Sequence, residues 1–293
     1  MIKCNLIVNG LNVVAQYTEA NVREIFIPLL KRLTKLQKEK SKRILVLLAA
    51  PPGAGKSTIC TYLEMLSKET EEFTNIQCIG VDGFHYQQDY LDSHYTFRNG
   101  KKILMAKIKG GPETFNLPLL TEKIKKLTSG ENCRWPIYDR KIHNPVDDVI
   151  NITSDIILLE GNYFLLKEKG WNELEKYADY TILLKPNENI LRKRLIDRKV
   201  AGGKSIEEAT SFVDYSDMVN VKTCLQKSKK GDLTLEVLED YEGYIKSTYG
   251  NIFDFKHFIS NKNDHKYEQI LTKPTNEVFN SEGHTVSYKM QHD

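Results

Sequence analysis

The 293-residue chain has no apolar run approaching the roughly 20 residues that cross a bilayer, so no membrane-embedded protein is expected. Cysteine is sparse: Cys4, Cys60, Cys78, Cys133 and Cys224 are scattered, odd in number and never spaced CxxC. That pattern excludes a disulfide framework and a zinc site and fits a reduced cytosolic chain. Net charge is small as well, +3 from 42 basic and 39 acidic residues. A polybasic nucleic-acid or membrane-surface binder is therefore not expected, although a local basic patch around a polyanion is compatible with that balance. The opening MIKCNLIVNGLNV is too short and interrupted for a signal peptide, and the sequence carries no internal repeat. A cytoplasmic location follows as the expectation.

What is present is an ordinary globular balance, 40% hydrophobic and 28% charged, enough to bury a core. Asn9-Gly10 between two apolar segments predicts a hairpin, because both residues tolerate positive φ. Apolar positions from Val22 to Leu36 recur at near-helical spacing, with Pro28 as a potential kink. Residues 1–41 thus read as an N-terminal hairpin-and-helix appendage. From residue 42 to 240 buried strands alternate with helices: RILVLLAA, STICTYLEMLSKE, NIQCIGV, LPLLTEKIKKLT, DIILLEG, YTILLK, NILRKRLIDRK and LTLEVLED. Continuous apolar strands separated by helices predict an α/β three-layer sandwich, its mainly parallel central sheet covered on both faces. Residues 241–293 read as a polar extension, loosely ordered beyond about residue 258.

The first strand runs into APPGAGKST. Strand, glycine-rich turn and helix in that order form the context of a phosphate loop. Amides of Gly53, Ala54, Gly55 and Lys56 are expected to face an anion at the helix N-terminus. Lys56 supplies a point charge to the phosphates, and the hydroxyl of Ser57, which precedes Thr58, suits Mg²⁺. Ala50 stands where the GxxxxGK[ST] pattern has glycine. The prolines after it hold Ala50 extended, so negative φ suffices there and the loop is stiffened.

Two carboxylates end neighbouring strands. Asp82 in GVDGFHY can accept a hydroxyl proton, although Asp-Gly is also a common turn pair. Glu160 in DIILLEGNY can support Mg²⁺; alone it would read as a turn, but beside Asp82 and a phosphate loop the pair favours a site. In WPIYDRKIHNPV, Tyr138, Asp139, Arg140 and His143 can bond a hydroxyl-bearing substrate, and with Phe84, His85 and Phe115 they outline an acceptor pocket. Arg192, Arg194, Arg198, Lys199 and Lys204 cluster ahead of and around Gly202-Gly203. They read either as a solvated basic helix or as a mobile lid that neutralises transition-state charge.

Together these segments resemble the phosphoribulokinase/uridine kinase family of P-loop kinases over about residues 43–240. APPGAGKST matches its phosphate loop, VDGFHY its base segment, PIYDRKIH its nucleoside-kinase segment, LLEGNY its Glu-Gly strand end and RLIDRK its arginine helix. DGFHY, KGGPETFN and EGNYFLL look most like the bacterial nucleoside/nucleotide kinase-like branch, related to pantothenate kinase. The resemblance implies ATP, Mg²⁺ and phosphoryl transfer to a hydroxyl of a small molecule. Asp82, Lys56, Arg194 and Arg198 would act in catalysis, and His85, Tyr138, Arg140 and His143 in acceptor binding. Uridine kinases carry an Asp-Ser-Phe-Tyr type of segment where this chain has Asp82-Gly83-Phe84-His85, which leaves nucleoside, pantothenate and sugar acceptors open. A P-loop ATPase or switch acting through a protein partner is the alternative from another class. The partner expected is a small-molecule hydroxyl acceptor, with neither nucleic acid nor membrane, and a homodimer stays open.

Overall fold

The computed structural model describes residues 1–98 and 100–237, and beyond them three short strands at 244–246, 278–279 and 285–286. The N-terminal hairpin is present: β1 (Ile2–Val8) and β2 (Leu11–Tyr17) pair antiparallel around Asn9 and Gly10. Both turn residues have positive φ, +52° and +78°, the backbone that a two-residue hairpin requires. Thr18 caps α1 (Glu19–Asn21) by accepting from the Asn21 amide at 3.0 Å. The helical course continues through a π-turn at Val22–Phe26 into α2 (Ile27–Lys40). Pro28 therefore sits in the first turn of α2, where its missing N–H is tolerated, and a π-turn precedes it instead of a kink.

The remaining elements follow as β3 (Ile44–Ala49), α3 (Lys56–Lys68), β4 (Ile76–Gly80), α4 (Gln88–Ser93), β5 (Tyr95–Arg98) and β6 (Lys101–Leu104). Then come α5 (Leu117–Thr128), β7 (Arg134–Asp139), β8 (Asn144–Asn151), β9 (Ile156–Gly161), β10 (Tyr180–Pro186), α6 (Glu188–Ala201), α7 (Ile206–Phe212) and α8 (Met218–Lys227). The chain closes with β11 (Leu233–Val237), β12 (Tyr244–Lys246), β13 (Val278–Phe279) and β14 (Thr285–Val286).

The central sheet has the order β12-β11-β10-β3-β9-β4, parallel throughout except for β12. Every residue of β3 is buried, and its side chains alternate between two cores. Ile44, Val46 and Leu48 join the residues of α3, α6 and the N-terminal hairpin, whereas Leu45, Leu47 and Ala49 face α5, Trp135 and Trp171. Burial on both faces is why the parallel strands read as unbroken apolar runs. Hairpin residues Cys4, Leu6, Val8, Ala15 and Tyr17 share one core with β3.

The central sheet also continues past residue 240 through β12. β13 and β14 extend the N-terminal hairpin sheet in the order β14-β13-β1-β2. The rest of the expected loosely ordered tail lies outside the described residues. Among the described residues no helix is long and apolar enough to cross a membrane.

In the parallel sheet all strand ends that feed helices lie on one side. The loop after β3, Asp82 after β4 and Glu160 in β9 therefore meet in the crevice at the carboxyl ends, where open α/β sheets bind ligands.

Candidate functional site

The loop after β3 is built as its residues dictate. The Ala50 amide bonds the Gly161 carbonyl at 3.2 Å, which anchors the strand end to β9. Ala50 is absent from the residues with positive φ, whereas Gly53 and Gly55 have φ of +80° and +84°. The first intrahelical bond of α3 runs from the Ile59 amide to the Gly55 carbonyl at 3.0 Å. Lys56, Ser57 and Thr58 thus begin the helix with amides that have no intrahelical acceptor, an anion-binding end. One expected donor is otherwise engaged: the Ala54 amide closes the turn onto the Pro51 carbonyl at 3.3 Å. Gly53 also sits against α6, since a Cβ there would lie 3.2 Å from Leu195 Cγ.

Glu160 lies between Leu48 of β3 and Gly80 of β4 in register. Its Oε1 accepts from Ser57 Oγ at 2.6 Å, and Lys56 Nζ stands 3.9 Å from Oε2. Burial pushes the Glu160 carboxyl above its ordinary range and the charge of Asp82 adds to this; Lys56, the Ser57 hydrogen bond and Arg140 oppose it. A hydroxyl and a carboxylate meeting at one point form an oxygen donor set that suits Mg²⁺. Among the described residues no group of three or more His, Cys, Asp and Glu side chains could hold a metal. A cation here would take its other ligands from nucleotide phosphates and water.

Asp82 opens a 3₁₀ turn, Asp82–Phe84, directly after β4. Its carboxylate makes no hydrogen bond or ion pair among the described residues, yet its charge reaches Glu160, His85 and Arg198. His85 Nδ1 lies 2.9 Å from the Asp82 carbonyl and must donate to it, which leaves Nε2 as the acceptor of the neutral ring. Burial holds the His85 imidazole below its ordinary value; Asp82 opposes that and Lys109 reinforces it. The ring packs 3.9 Å from Phe115 and 5.6 Å from Tyr138, centroid to centroid.

β7 pins this turn. The Trp135 indole N–H donates to the Gly80 carbonyl at 2.8 Å. A Cβ on Gly83 would stand 2.5 Å from the carbonyl carbon and oxygen of Pro136.

The segment proposed for acceptor contact is the β7–β8 hairpin. Tyr138 Oη donates to the His143 carbonyl at 2.7 Å, and Lys109 Nζ donates to the same oxygen at 3.0 Å and to Gln88 Oε1 at 2.6 Å. His143 is left-handed, φ +55°, and its side chain is exposed at the turn. The Tyr138 tip is thus engaged by the hairpin itself. Asp139 Oδ1 accepts from the Lys141 amide at 2.7 Å, and Arg140 stands exposed between them.

Arg194 and Arg198 lie one turn apart on α6, whose apolar face buries Leu191, Leu195 and Ile196. Burial holds Arg198 below its ordinary value and Arg140 adds to that, with Asp217 and Asp82 opposing. Within the basic cluster two cations have acidic partners. Arg192 forms a two-bond pair with Asp214, Nε–Oδ1 2.7 Å and Nη2–Oδ2 2.9 Å. Lys199 lies 3.1 Å from Asp217 Oδ2 and 4.0 Å above the Phe212 ring. Acidic residues after α7, in a stretch the sequence reading left unassigned, supply the compensation.

KGGPETFN, singled out in the sequence by its resemblance, builds a wall whose contacts the sequence did not name. Arg98 pairs with Glu113 through two bonds, 2.9 and 2.5 Å, and its guanidinium occupies the space a Cβ on Gly111 would need. Tyr163 Oη donates to the Gly110 carbonyl at 2.6 Å, and the Trp171 indole N–H donates to the Pro112 carbonyl at 3.2 Å. The Gly110-Gly111-Pro112 run was the signal available: a backbone approached closely on several sides.

Comparison with known proteins places this geometry. The YggC protein of Escherichia coli (strain K12), itself uncharacterized, is 38% identical over 239 residues, covering 81% of this chain and 97% of its own length. A candidate uridine kinase of Schizosaccharomyces pombe is 32% identical over 217 residues, 72% of this chain and 89% of that protein. The crystal structure of a candidate fructose transport system kinase from Silicibacter sp. TM1040 superposes with a TM-score of 0.61 at 26% identity, covering 70% of this chain and 98% of that one. The model of the phosphoribulokinase / uridine kinase family matches residues 45–242, and with the loop, the paired strand-end carboxylates and the arginine helix in its crevice, the chain belongs to that family of P-loop kinases.

Proposed function

We propose that the protein transfers the γ-phosphoryl group of ATP to a hydroxyl of a small, nucleoside-like acceptor, with pantothenate or a sugar as the alternatives within the same fold. The observation that carries this reading is the convergence at the crevice. Ser57 and Glu160 meet at 2.6 Å beside Lys56, and Asp82 stands unpaired among the described residues one strand away.

The open amides of α3 and the Lys56 ammonium bind the β- and γ-phosphates. Ser57 and Glu160 hold Mg²⁺, which when bound neutralises charge on the phosphate oxygens. Asp82 orients the acceptor hydroxyl and takes its proton as the oxygen–phosphorus bond forms and the bond to the β-phosphate oxygen breaks, releasing ADP. Arg194 and Arg198 stabilise charge on the transferring group. His85, Tyr138, Arg140 and His143 line the acceptor side. His85 offers Nε2 as a hydrogen-bond acceptor, and the Tyr138–His143 bond fixes the hairpin that carries Arg140.

The test is ATP consumption with and without a panel of hydroxyl acceptors, for wild type and Lys56→Ala. Consumption that depends on an acceptor and vanishes in a folded Lys56→Ala protein supports the kinase. Consumption independent of every acceptor would favour an ATPase or switch, and full activity of the variant would remove the nucleotide site.

A further inference from the structure

Most cations around the crevice already hold an anion or a carbonyl. Lys56 faces Glu160, Arg98 grips Glu113, Arg192 grips Asp214, Lys199 meets Asp217, and Lys109 holds Gln88 and the His143 carbonyl. Arg140 does not: its guanidinium makes no hydrogen bond or ion pair among the described residues.

The turn that carries it is nevertheless held in place. The Asp139 carboxylate accepts the Lys141 amide on one side, and the Tyr138–His143–Lys109 bonds close the hairpin on the other. The hairpin that carries Arg140 lies against the Asp82 turn, with the Pro136 backbone on Gly83 and the Tyr138 ring 5.6 Å from His85, and the arginine's charge reaches Glu160 at the end of β9 and Arg198 on α6.

The Arg198 and Arg140 guanidiniums differ in neighbourhood. Arg198 belongs to the helix whose Leu195 packs on Gly53, which places it on the nucleotide side. Arg140 follows Tyr138, whose ring meets His85 on the acceptor side. An acceptor brought to Asp82 and Glu160 meets two carboxylates, so any negative charge of its own requires a cation opposite them. Arginine suits that task, since its planar fork matches a carboxylate or phosphate with two bonds.

We propose that the acceptor carries an oxyanion of its own, carboxylate or phosphate, in addition to the hydroxyl that is phosphorylated, and that Arg140 is the residue that selects it. This rests on the kinase reading above and narrows it away from neutral nucleosides and free sugars.

The experiment compares matched acceptors that differ in the acidic group: pantothenate with pantothenol, glycerate with glycerol, and ribose 5-phosphate with ribose. The first two pairs test a carboxylate and the third a phosphate. Wild type should prefer the acidic member of the accepted pair by about tenfold or more in kcat/KM, the scale of a charge-assisted two-bond contact. In Arg140→Gln that ratio should fall toward one through a raised KM for the acidic acceptor, while KM for ATP holds. Arg140→Lys should recover part of the ratio. Equal use of both members, or a rise in KM for ATP instead, overturns the proposal.

A second readout separates its failure from that of the kinase reading. Protein saturated with a non-hydrolysable ATP analogue and Mg²⁺ is titrated with inorganic phosphate or acetate and its melting followed. If no acceptor drives ATP consumption, a rise in Tm in wild type that Arg140→Gln lacks preserves the oxyanion site while the kinase reading falls. Equal behaviour of the two proteins removes the site.

Discussion

Replacing Gly83 with alanine tests whether the base turn is held by contact with β7. Gly83 does not have positive φ, so the substitution carries no backbone penalty of that kind and its cost is steric. The added Cβ would lie 2.5 Å from the Pro136 carbonyl carbon and oxygen and 2.8 Å from the Ile137 amide nitrogen. Unstrained carbon contacts close at about 3.5–4.0 Å, so turn and strand must part by about 1 Å. The obstacle is backbone, which cannot rotate aside as a side chain would. Overpacking of this kind costs about 1–3 kcal/mol, less than the roughly 5–15 kcal/mol that stabilises a typical domain, so the variant should fold. A displacement of about 1 Å at a reacting group can lower turnover about 100-fold. The assay is kcat at saturating ATP and acceptor, paired with a urea midpoint for each protein. A Gly83→Ala enzyme with wild-type kcat and an unchanged midpoint would refute the close approach. A loss of ATP affinity with kcat intact would show that the turn serves the nucleotide and not the acceptor.

Asp82→Asn should lower kcat by about 10²–10⁴-fold, the range for losing a general base, with KM for ATP little changed; the reverse pattern in steady-state kinetics would move Asp82 to the nucleotide. Because burial holds the His85 imidazole below its ordinary value, the unfolded chain binds a proton that the folded chain refuses. The stability contributed is therefore complete above the unfolded value of about 6.5 and is lost as pH falls toward the folded one. Melting curves should show the wild-type protein losing stability relative to His85→Gln as pH drops below about 6.5, and a pH-independent difference would contradict this. Hydrogen exchange across residues 192–204 should slow with ATP analogue plus acceptor beyond any general protection, while equal exchange in free and ligated protein would leave α6 an ordinary basic helix.

Much of the fold was legible because its physics is local and periodic. β3, β9 and β10 read as apolar runs since each is covered on both faces, and Asn9-Gly10 announced its hairpin through positive φ. The loop was legible too, Ala50 included, because proline restricts the residue before it. What escaped depends on partners far away in sequence. Nothing near Lys109 states that its ammonium will bridge Gln88 and the His143 carbonyl, and Arg192 looks unbalanced until Asp214 is folded against it. The glycine after Asp82, where uridine kinases carry serine, was visible as a departure. Its cause is the Pro136 backbone more than 50 residues on. Tyr138 was identified for its polar tip, and in the structure that tip closes the β7–β8 hairpin onto the His143 carbonyl.

The two indoles are the chain's whole complement of tryptophan. Trp135 is 0% exposed and Trp171 2%, and each donates to a carbonyl beside the crevice, Gly80 at the end of β4 before the Asp82 turn and Pro112 in the glycine-rich wall. Under excitation selective for indole, the emission of the protein therefore originates beside those two carbonyls, with no tryptophan on the N-terminal hairpin or on α6. The molecule carries an unlabelled optical gauge of this side of the crevice, and Trp135→Phe and Trp171→Phe divide the signal into one channel for each wall.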